Sequence, residues 1–250
     1  MTGASYRLSG PIGTRATFGL IALRVDETVE HDFRRLCAAP DIALHVTRIA
    51  SGDDLTPETI ATMEAALPHS ASLLPPAAAF DSVGYACTSG ATLIGADRVA
   101  QLVRCATRTR AVADPLTATI AALQALGVRR IGLVSPYIDS VAGPIREALV
   151  AAGLDVPAIL SFGEQVEARV ARIDPESIRQ AALAVGGRAD VDAVFVSCTN
   201  LRTLDLVDDV EERLGLPVVT SNLALAWQMF GHAGTPPAIA PGRLLRSAAP

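Results

Sequence analysis

Along the chain, short runs of β-branched and aromatic residues alternate with longer alanine-rich stretches in which apolar residues recur at helical spacing. The short runs predict strands over 18–23 (FGLIAL), 42–48 (IALHVTR), 82–86 (SVGYA), 110–113, 130–134 (RIGLV), 156–161, 192–197 (DAVFVS) and 217–220 (PVVT). The stretches between them predict helices over 27–38, 57–74, 95–107, 115–126, 140–152, 175–185, 203–214 and 222–230. Thr56-Pro57, Asp114-Pro115 and Asp174-Pro175 each set a capping side chain before a proline at the first helical position. Regular alternation of strand and helix predicts an α/β fold with mostly parallel sheets.

The pattern also repeats. FGLIALRVDETVEHDF from Phe18 matches IGLVSPYIDSVAGPIRE from Ile131, with Gly19 on Gly132 and Asp26 on Asp139 at an offset of 113. FDSVGYACTS from Phe80 matches VDAVFVSCTN from Val191, with Asp81 on Asp192 and Cys87 on Cys198 at an offset of 111. So small a drift predicts a duplication: two similar α/β lobes related by pseudo-twofold symmetry. The first would hold residues 1–112 plus the C-terminal segment 222–250, and the second residues 113–221. Ligands of open α/β sheets sit beyond the carboxyl ends of the strands. Cys87 and Cys198 both fall where a strand ends and a helix is expected to begin, so the two thiols should meet across one cleft between the lobes.

Composition narrows the setting. At 250 residues and 50% hydrophobic, the chain can bury a substantial core. A net charge of −5 without a concentrated Lys/Arg patch argues against nucleic acid or an anionic membrane as partner. No run of 18 apolar residues occurs, and the polar, Gly-rich N-terminus lacks the apolar core of a signal peptide. Four cysteines (37, 87, 105, 198), none in a CxxC or zinc spacing, give neither a disulfide framework nor a metal site. A cytoplasmic, reducing location is expected, where free thiols persist.

Paired thiols suit a particular chemistry. A thiolate is a fair base and nucleophile, and its thiol a fair acid. Two thiols on opposite faces of a carbon can remove a proton from one side and return one to the other; alternatively, one thiolate adds to a double bond, permits rotation and leaves. Thr88, Ser89 and Gly90 after the first cysteine, and Thr199 and Asn200 after the second, offer hydroxyls and backbone N–H groups for a carboxylate and for the enolate formed beside it. Cys37 and Cys105, inside helical stretches, read as core-filling residues.

At these residues the sequence resembles the aspartate/glutamate racemase superfamily. It is most similar to the maleate isomerase and arylmalonate decarboxylase branch and, within it, to the ectoine-utilisation proteins. The resemblance rests on GLIALRVDETVEHDFRRL (19–36), GYACTSGATLIG (84–95), GLVSPY (132–137), GEQVEARVARIDP (163–175), SCTNLRTLD (197–205) and GLPVVTSN (215–222), in that order. It implies two α/β lobes, no cofactor, a homo-oligomer, and a cleft in which Cys87 and Cys198 are the catalytic pair. Thr88, Ser89 and Thr199 would hold the substrate carboxylate, and Tyr137 would add a phenol hydrogen bond; the plain alternative for Tyr137 is a packed aromatic at a strand end. Decarboxylases of this branch resemble the pattern with the second cysteine alone, so two cysteines favour an isomerase or racemase. The rivals are a decarboxylase using Cys198 as proton donor and, from another class, a cytosolic small-molecule binding protein.

The chain departs from the branch in one place. Where maleate isomerases place a carboxylate-holding asparagine, this chain has Asp26, and a second such asparagine falls near Glu164-Gln165. An acid repels a dicarboxylate and attracts an ammonium or amidinium group. A small substrate carrying both a carboxylate and a cationic group, such as ectoine, hydroxyectoine or an amino acid, is therefore expected. Asp26 can equally cap the helix that begins near Glu27. His31 reads as a solvated helix residue, Trp227 as core or interface, and the tail from Gly231 as loose or an arm on a partner subunit.

Overall fold

A computed structural model of the chain describes residues 3–54 and 56–247. The first half runs β1 (Ala16–Leu23), α1 (Val29–Leu36), β2 (Ile42–Ile49), α2 (Pro57–Ser72), β3 (Phe80–Ala86), α3 (Thr88–Ile94), α4 (Ala96–Arg104) and β4 (Thr109–Ala113). After α5 (Pro115–Ala125) the second half follows as β5 (Arg130–Tyr137), α6 (Asp139–Ala151), β6 (Asp155–Glu164), α7 (Glu167–Val170), α8 (Pro175–Gly186), β7 (Ala193–Val196), α9 (Val207–Leu214) and β8 (Val218–Thr220). The chain closes with α10 (Ser221–Ala233) and α11 (Gly242–Arg246). Among the described residues, no helix is long and apolar enough to cross a membrane.

Two four-stranded parallel sheets result, with orders β2-β1-β3-β4 and β6-β5-β7-β8. The identical order in two stretches of matching sequence is the duplication the repeat predicts. Strands β1 and β5, paired on both sides, are buried along nearly all their length, because helices cover both faces of each sheet. The matched glycines share a task. A Cβ at Gly19 would stand 2.9 Å from the side chain of Leu74, and one at Gly132 would stand 2.9 Å from that of Val185. In each half, glycine lets a neighbouring side chain, from just past α2 in the first and from α8 in the second, rest directly on the central strand.

The strand order reverses between β1 and β3 and again between β5 and β7, which opens a crevice at those carboxyl ends. Asp26 stands just past β1 and Cys87 just past β3; Tyr137 ends β5 and Cys198 stands just past β7. The topology thus aims all four at the crevices.

Local signals hold where the sequence is strongest. Thr56 accepts from the Thr59 N–H, Asp114 from Leu116 and Thr117, and Asp174 from Glu176 and Ser177; such caps stabilise by about 1 kcal/mol each. The helix expected over 95–107 is α4, and a separate helix, α3, precedes it across Gly95, whose φ is 90°. Two expectations are corrected. The helix expected from 203 starts at Val207, so Cys198 is followed by a loop and not by a helix. The tail is not loose: α10 continues to Ala233, and α11 buries Leu244 completely.

Helix α10 lies on the first sheet, with the Phe230 ring edge-on to Phe18 at 4.8 Å and Met229 and Leu225 against Gly84. Helix α11 lies on the second, where Glu211 accepts from the N–H groups of Val218 and Arg243, and Asp208 from that of Gly242. The boundary expected between 112 and 113 falls inside β4, so we propose it just after Ala113; of the C-terminal segment expected with the first lobe, α10 lies there and α11 on the second sheet.

Candidate active site

Cys87 leaves β3 in extended conformation and caps α3, its Sγ accepting the Gly90 N–H at 3.2 Å. Position 90 has no room for a side chain: a Cβ would meet the Tyr85 hydroxyl at 2.5 Å and the Cys87 sulfur at 2.9 Å. Thr88 and Ser89 are buried beside it. The Thr88 hydroxyl pairs with that of Ser221 at 2.9 Å, whereas the Ser89 hydroxyl is buried without a partner.

Cys198 has φ 102°, a left-handed conformation that disfavours any side chain. Strain of this kind concentrates at functional sites. Its N–H donates to the Ser221 hydroxyl at 3.0 Å, and its sulfur accepts the Asn200 N–H at 3.3 Å. The same sulfur lies 3.0 Å from the Tyr137 hydroxyl, which donates to the Glu167 carboxylate at 2.6 Å. Asn200 Nδ2 donates to the other Glu167 oxygen at 3.1 Å, and its Oδ1 accepts the Glu27 N–H at 2.9 Å.

The two cysteine loops are joined directly. Ser221 binds the Cys198 backbone and the Thr88 side chain with one hydroxyl. Thr199 donates to Asp26 at 2.7 Å and lies 3.3 Å from the carbonyl of Ala86, the residue before Cys87. One Asp26 oxygen caps α1 by accepting from Thr28 and Val29 N–H, and the other receives Thr199. Asp26 therefore caps the start of the helix, one of the two roles open to it from the sequence, and its carboxyl is buried against Thr199.

Electrostatics tell the same story. Burial pushes Cys87 up to about 12, opposed by the Gly90 N–H and assisted by the carboxylates of Glu167 and Asp26. Burial also raises Cys198 well above the ordinary thiol range, again with Glu167 and Asp26 adding to the shift. Both sulfurs answer to the same two carboxylates, which come from different halves of the chain, so the two thiols lie at the same junction of the halves. Burial in turn raises the carboxyls of Asp26 and Glu167 and the phenol of Tyr137.

All eight residues singled out from the sequence are buried at this junction: Asp26, Cys87, Thr88, Ser89, Tyr137, Cys198, Thr199 and Asn200. Tyr137 bonds through its hydroxyl as well as packing. Glu164 and Gln165 stand farther out and border, with Thr56, Leu93, Ile138 and Tyr137, a cavity of about 280 Å³ that reaches the site at Tyr137. The inner position belongs instead to Glu167, which the sequence reading missed, as it missed Ser221. Both lie inside the matching segments, and their burial comes from contacts between elements far apart in the chain. Cys37 is buried, as a core-filling thiol should be, but Cys105 is exposed at the end of α4, which corrects its reading as core. His31 is exposed and Trp227 buried. Among the described residues, no group of three or more His, Cys, Asp or Glu side chains could hold a metal ion.

Two parallel α/β sheets with a thiol delivered from each to a shared, buried, carboxylate-lined junction define the two-cysteine, Asp/Glu racemase-like class. The arylmalonate decarboxylase family matches residues 60–245, and the chain belongs to that family. It is 36% identical to an arylmalonate decarboxylase of Bordetella bronchiseptica over 119 residues, 47% of this chain and 50% of that one. It is 30% identical to a maleate isomerase of Nocardia farcinica over 131 residues, 52% of each. The matched stretch thus spans about half the length of these relatives. The solved structure of a Nocardia farcinica maleate cis-trans isomerase mutant with a covalently bound succinylcysteine intermediate shares the fold over 92% of this chain and 98% of that one, with a TM-score of 0.81 at 24% identity.

Proposed function

We propose that the protein is a cofactor-independent isomerase or racemase acting next to the carboxylate of a small acid, with Cys87 and Cys198 as its two reacting thiols. The observation that carries this is the pair of buried sulfurs, one from each lobe, held against one another's loops by Ser221 and Thr199. In the proton-transfer form, one thiolate takes the proton from the carbon beside the carboxylate, and the other thiol returns one from the opposite face. In the addition form, a thiolate bonds to an alkene carbon, the former double bond rotates, and the thiolate leaves. The succinylcysteine seen in a protein of the same fold supports the addition form. The unpartnered Ser89 hydroxyl is the group best placed to receive a substrate oxygen, since the Thr88 and Thr199 hydroxyls are already engaged.

The substrate class follows from charge. With Asp26 and Glu167 in the pocket wall, a second carboxylate on the substrate would be repelled, whereas an ammonium or amidinium would be drawn in. Ectoine, hydroxyectoine and amino acids meet that description better than maleate. The resemblance to ectoine-utilisation proteins points the same way, and it also suggests a homo-oligomer, which sedimentation would test. Free thiols at the centre of the site fit a reducing compartment such as the cytoplasm.

A second reading is a decarboxylase in which Cys198 alone protonates an enediolate, favoured by the matching family and by the closer set of partners around Cys198. Proton NMR in heavy water separates the two. The panel holds ectoine, hydroxyectoine, aspartate, glutamate, maleate and phenylmalonate, each with wild type, Cys87→Ser and Cys198→Ser. Deuterium entering beside a carboxylate, or at a maleate alkene, and falling at least about a hundredfold in both variants is the expected result. Loss of carbon dioxide that survives Cys87→Ser moves the assignment to decarboxylase. Ligand binding without exchange or turnover would sink both and leave a binding protein.

A further inference from the structure

The Tyr137 hydroxyl touches two groups at once, the sulfur of Cys198 at 3.0 Å and a Glu167 oxygen at 2.6 Å. A phenol has one proton to give. Since that proton points at Glu167, the Tyr137 oxygen is left to accept, and the Cys198 S–H is the donor that faces it. The three groups form an ordered line: thiol to phenol, phenol to carboxylate. All three are buried. Asn200 braces both ends, its backbone N–H on the sulfur and its Nδ2 on the carboxylate.

We propose that Glu167 is a positioning residue that stores the proton of Cys198, received through the hydroxyl of Tyr137. The step balances within the site. The S–H bond of Cys198 breaks as its proton goes to Tyr137; the original O–H bond of Tyr137 breaks as that proton goes to Glu167. A thiolate, a neutral phenol and a carboxylic acid result. The negative charge moves from Glu167 to the sulfur, so the pocket gains no net charge when the thiolate forms. When Cys198 later takes a proton from substrate, or leaves a carbon to which it had bonded, the line is ready to run in either direction.

The surrounding charges explain the need for such a store. Cys198 faces the carboxylates of Glu167 and Asp26 and no cation, so losing its proton to solvent would leave three negative charges together; Glu167 itself is acted on by Asp26 and Asp54, and Tyr137 by Cys198 and Glu167. Burial raises the Glu167 carboxyl, which makes it a better proton acceptor. Cys87 has no such line: the phenol beside its sulfur is that of Tyr85, whose hydroxyl meets no carboxylate among the described hydrogen bonds. The store thus gives the two thiols different duties, with Cys198 the one able to become a thiolate without exporting a proton.

The proposal rests on Cys198 reacting as a thiolate, as in the reading above, but its test needs no substrate and so fails or stands independently of that reading. The measurement is the second-order rate of Cys198 alkylation by iodoacetamide across the neutral pH range, followed by mass spectrometry of the Cys198 peptide, in wild type, Tyr137→Phe and Glu167→Gln. Exposed Cys105 provides the internal reference in each sample. An internally stored proton makes the thiolate fraction independent of pH, so the wild-type Cys198 rate should be nearly flat. In both variants it should climb about tenfold per pH unit, as an ordinary thiol does below its pKa. A steep wild-type profile, or a flat profile that persists in Tyr137→Phe, overturns the proposal. The second outcome would show that opening of the pocket, and not the relay, sets the rate.

Discussion

At the scale of single residues, the site is a set of buried polar groups whose partners are nearly all accounted for, and the exceptions are informative. Asp32 is one that the chemistry does not use. It is buried in α1, accepts from Asn222 Nδ2 at 2.8 Å, and burial lifts its carboxyl from 3.8 to about 7. An acid whose folded pKa is raised holds its proton better in the native state, so its favourable contribution is complete below about pH 4 and is lost as pH rises to about 7. At pH 8 the ionised carboxylate opposes folding by at most on the order of 4 kcal/mol. Asp32→Asn keeps an acceptor for Asn222 and removes that charge. Thermal melts should show the variant more stable than wild type at pH 8, with the difference shrinking towards pH 4; equal differences at both pH values would contradict the linkage. The thiol pair, Thr199 and Asn200 were legible in the sequence because each follows a strand in a repeated pattern, whereas Tyr137 and Asp26 were singled out by the family resemblance. Glu167 was not. A glutamate in GEQVEARVARIDP, with four other charged residues, has the composition of a solvated turn; its bonds to Tyr137 and Asn200, and that of its N–H to the Asp53 carbonyl at 3.0 Å, are what put it inside.

At the scale of elements, the caps carry separable stabilities. Asp114 is buried and accepts from two N–H groups at the start of α5, the helix that links the halves. Asp114→Ala should lower stability by about 1–2 kcal/mol in urea unfolding without altering the thiol site. Helix α11 gives a larger figure: Leu244→Ala removes a fully buried side chain and should cost about 2–5 kcal/mol, and an unchanged melt would mean that the helix does not seat on the second sheet in solution. The strands were readable because fully covered parallel strands are nearly continuous apolar runs. Helix α11 was not, since GRLLR in an Ala/Pro/Gly-rich tail has too few residues to show a period; its anchor, Glu211, stands 32 residues before Arg243. Helix α3 has the same handicap, at seven residues.

At the scale of the whole molecule, the lobes are tied across the cleft by links of unequal strength. The Glu27–Arg172 and Arg35–Asp205 pairs are exposed, and such pairs contribute about 0–1 kcal/mol. The buried links through Asn200, Ser221 and Thr199 have no water to replace them. Arg172→Ala should therefore leave the melting temperature within about 2 °C of wild type. Ser221→Ala removes a hydroxyl bonded to both cysteine loops and should lower turnover more than stability, because the two sulfurs lose a common reference point. Steady-state rates alongside melts for both variants test the contrast.

The left-handed backbone at Cys198 has a consequence for how such a protein can change over generations. That conformation disfavours a side chain by about 1–2 kcal/mol, which glycine would relieve, while loss of the small buried thiol forfeits roughly the same amount of apolar burial. To the fold, cysteine and glycine at 198 are near equivalents. A library selected for thermostability alone should drift away from cysteine there, and the same library selected for turnover should hold it if Cys198 reacts as proposed.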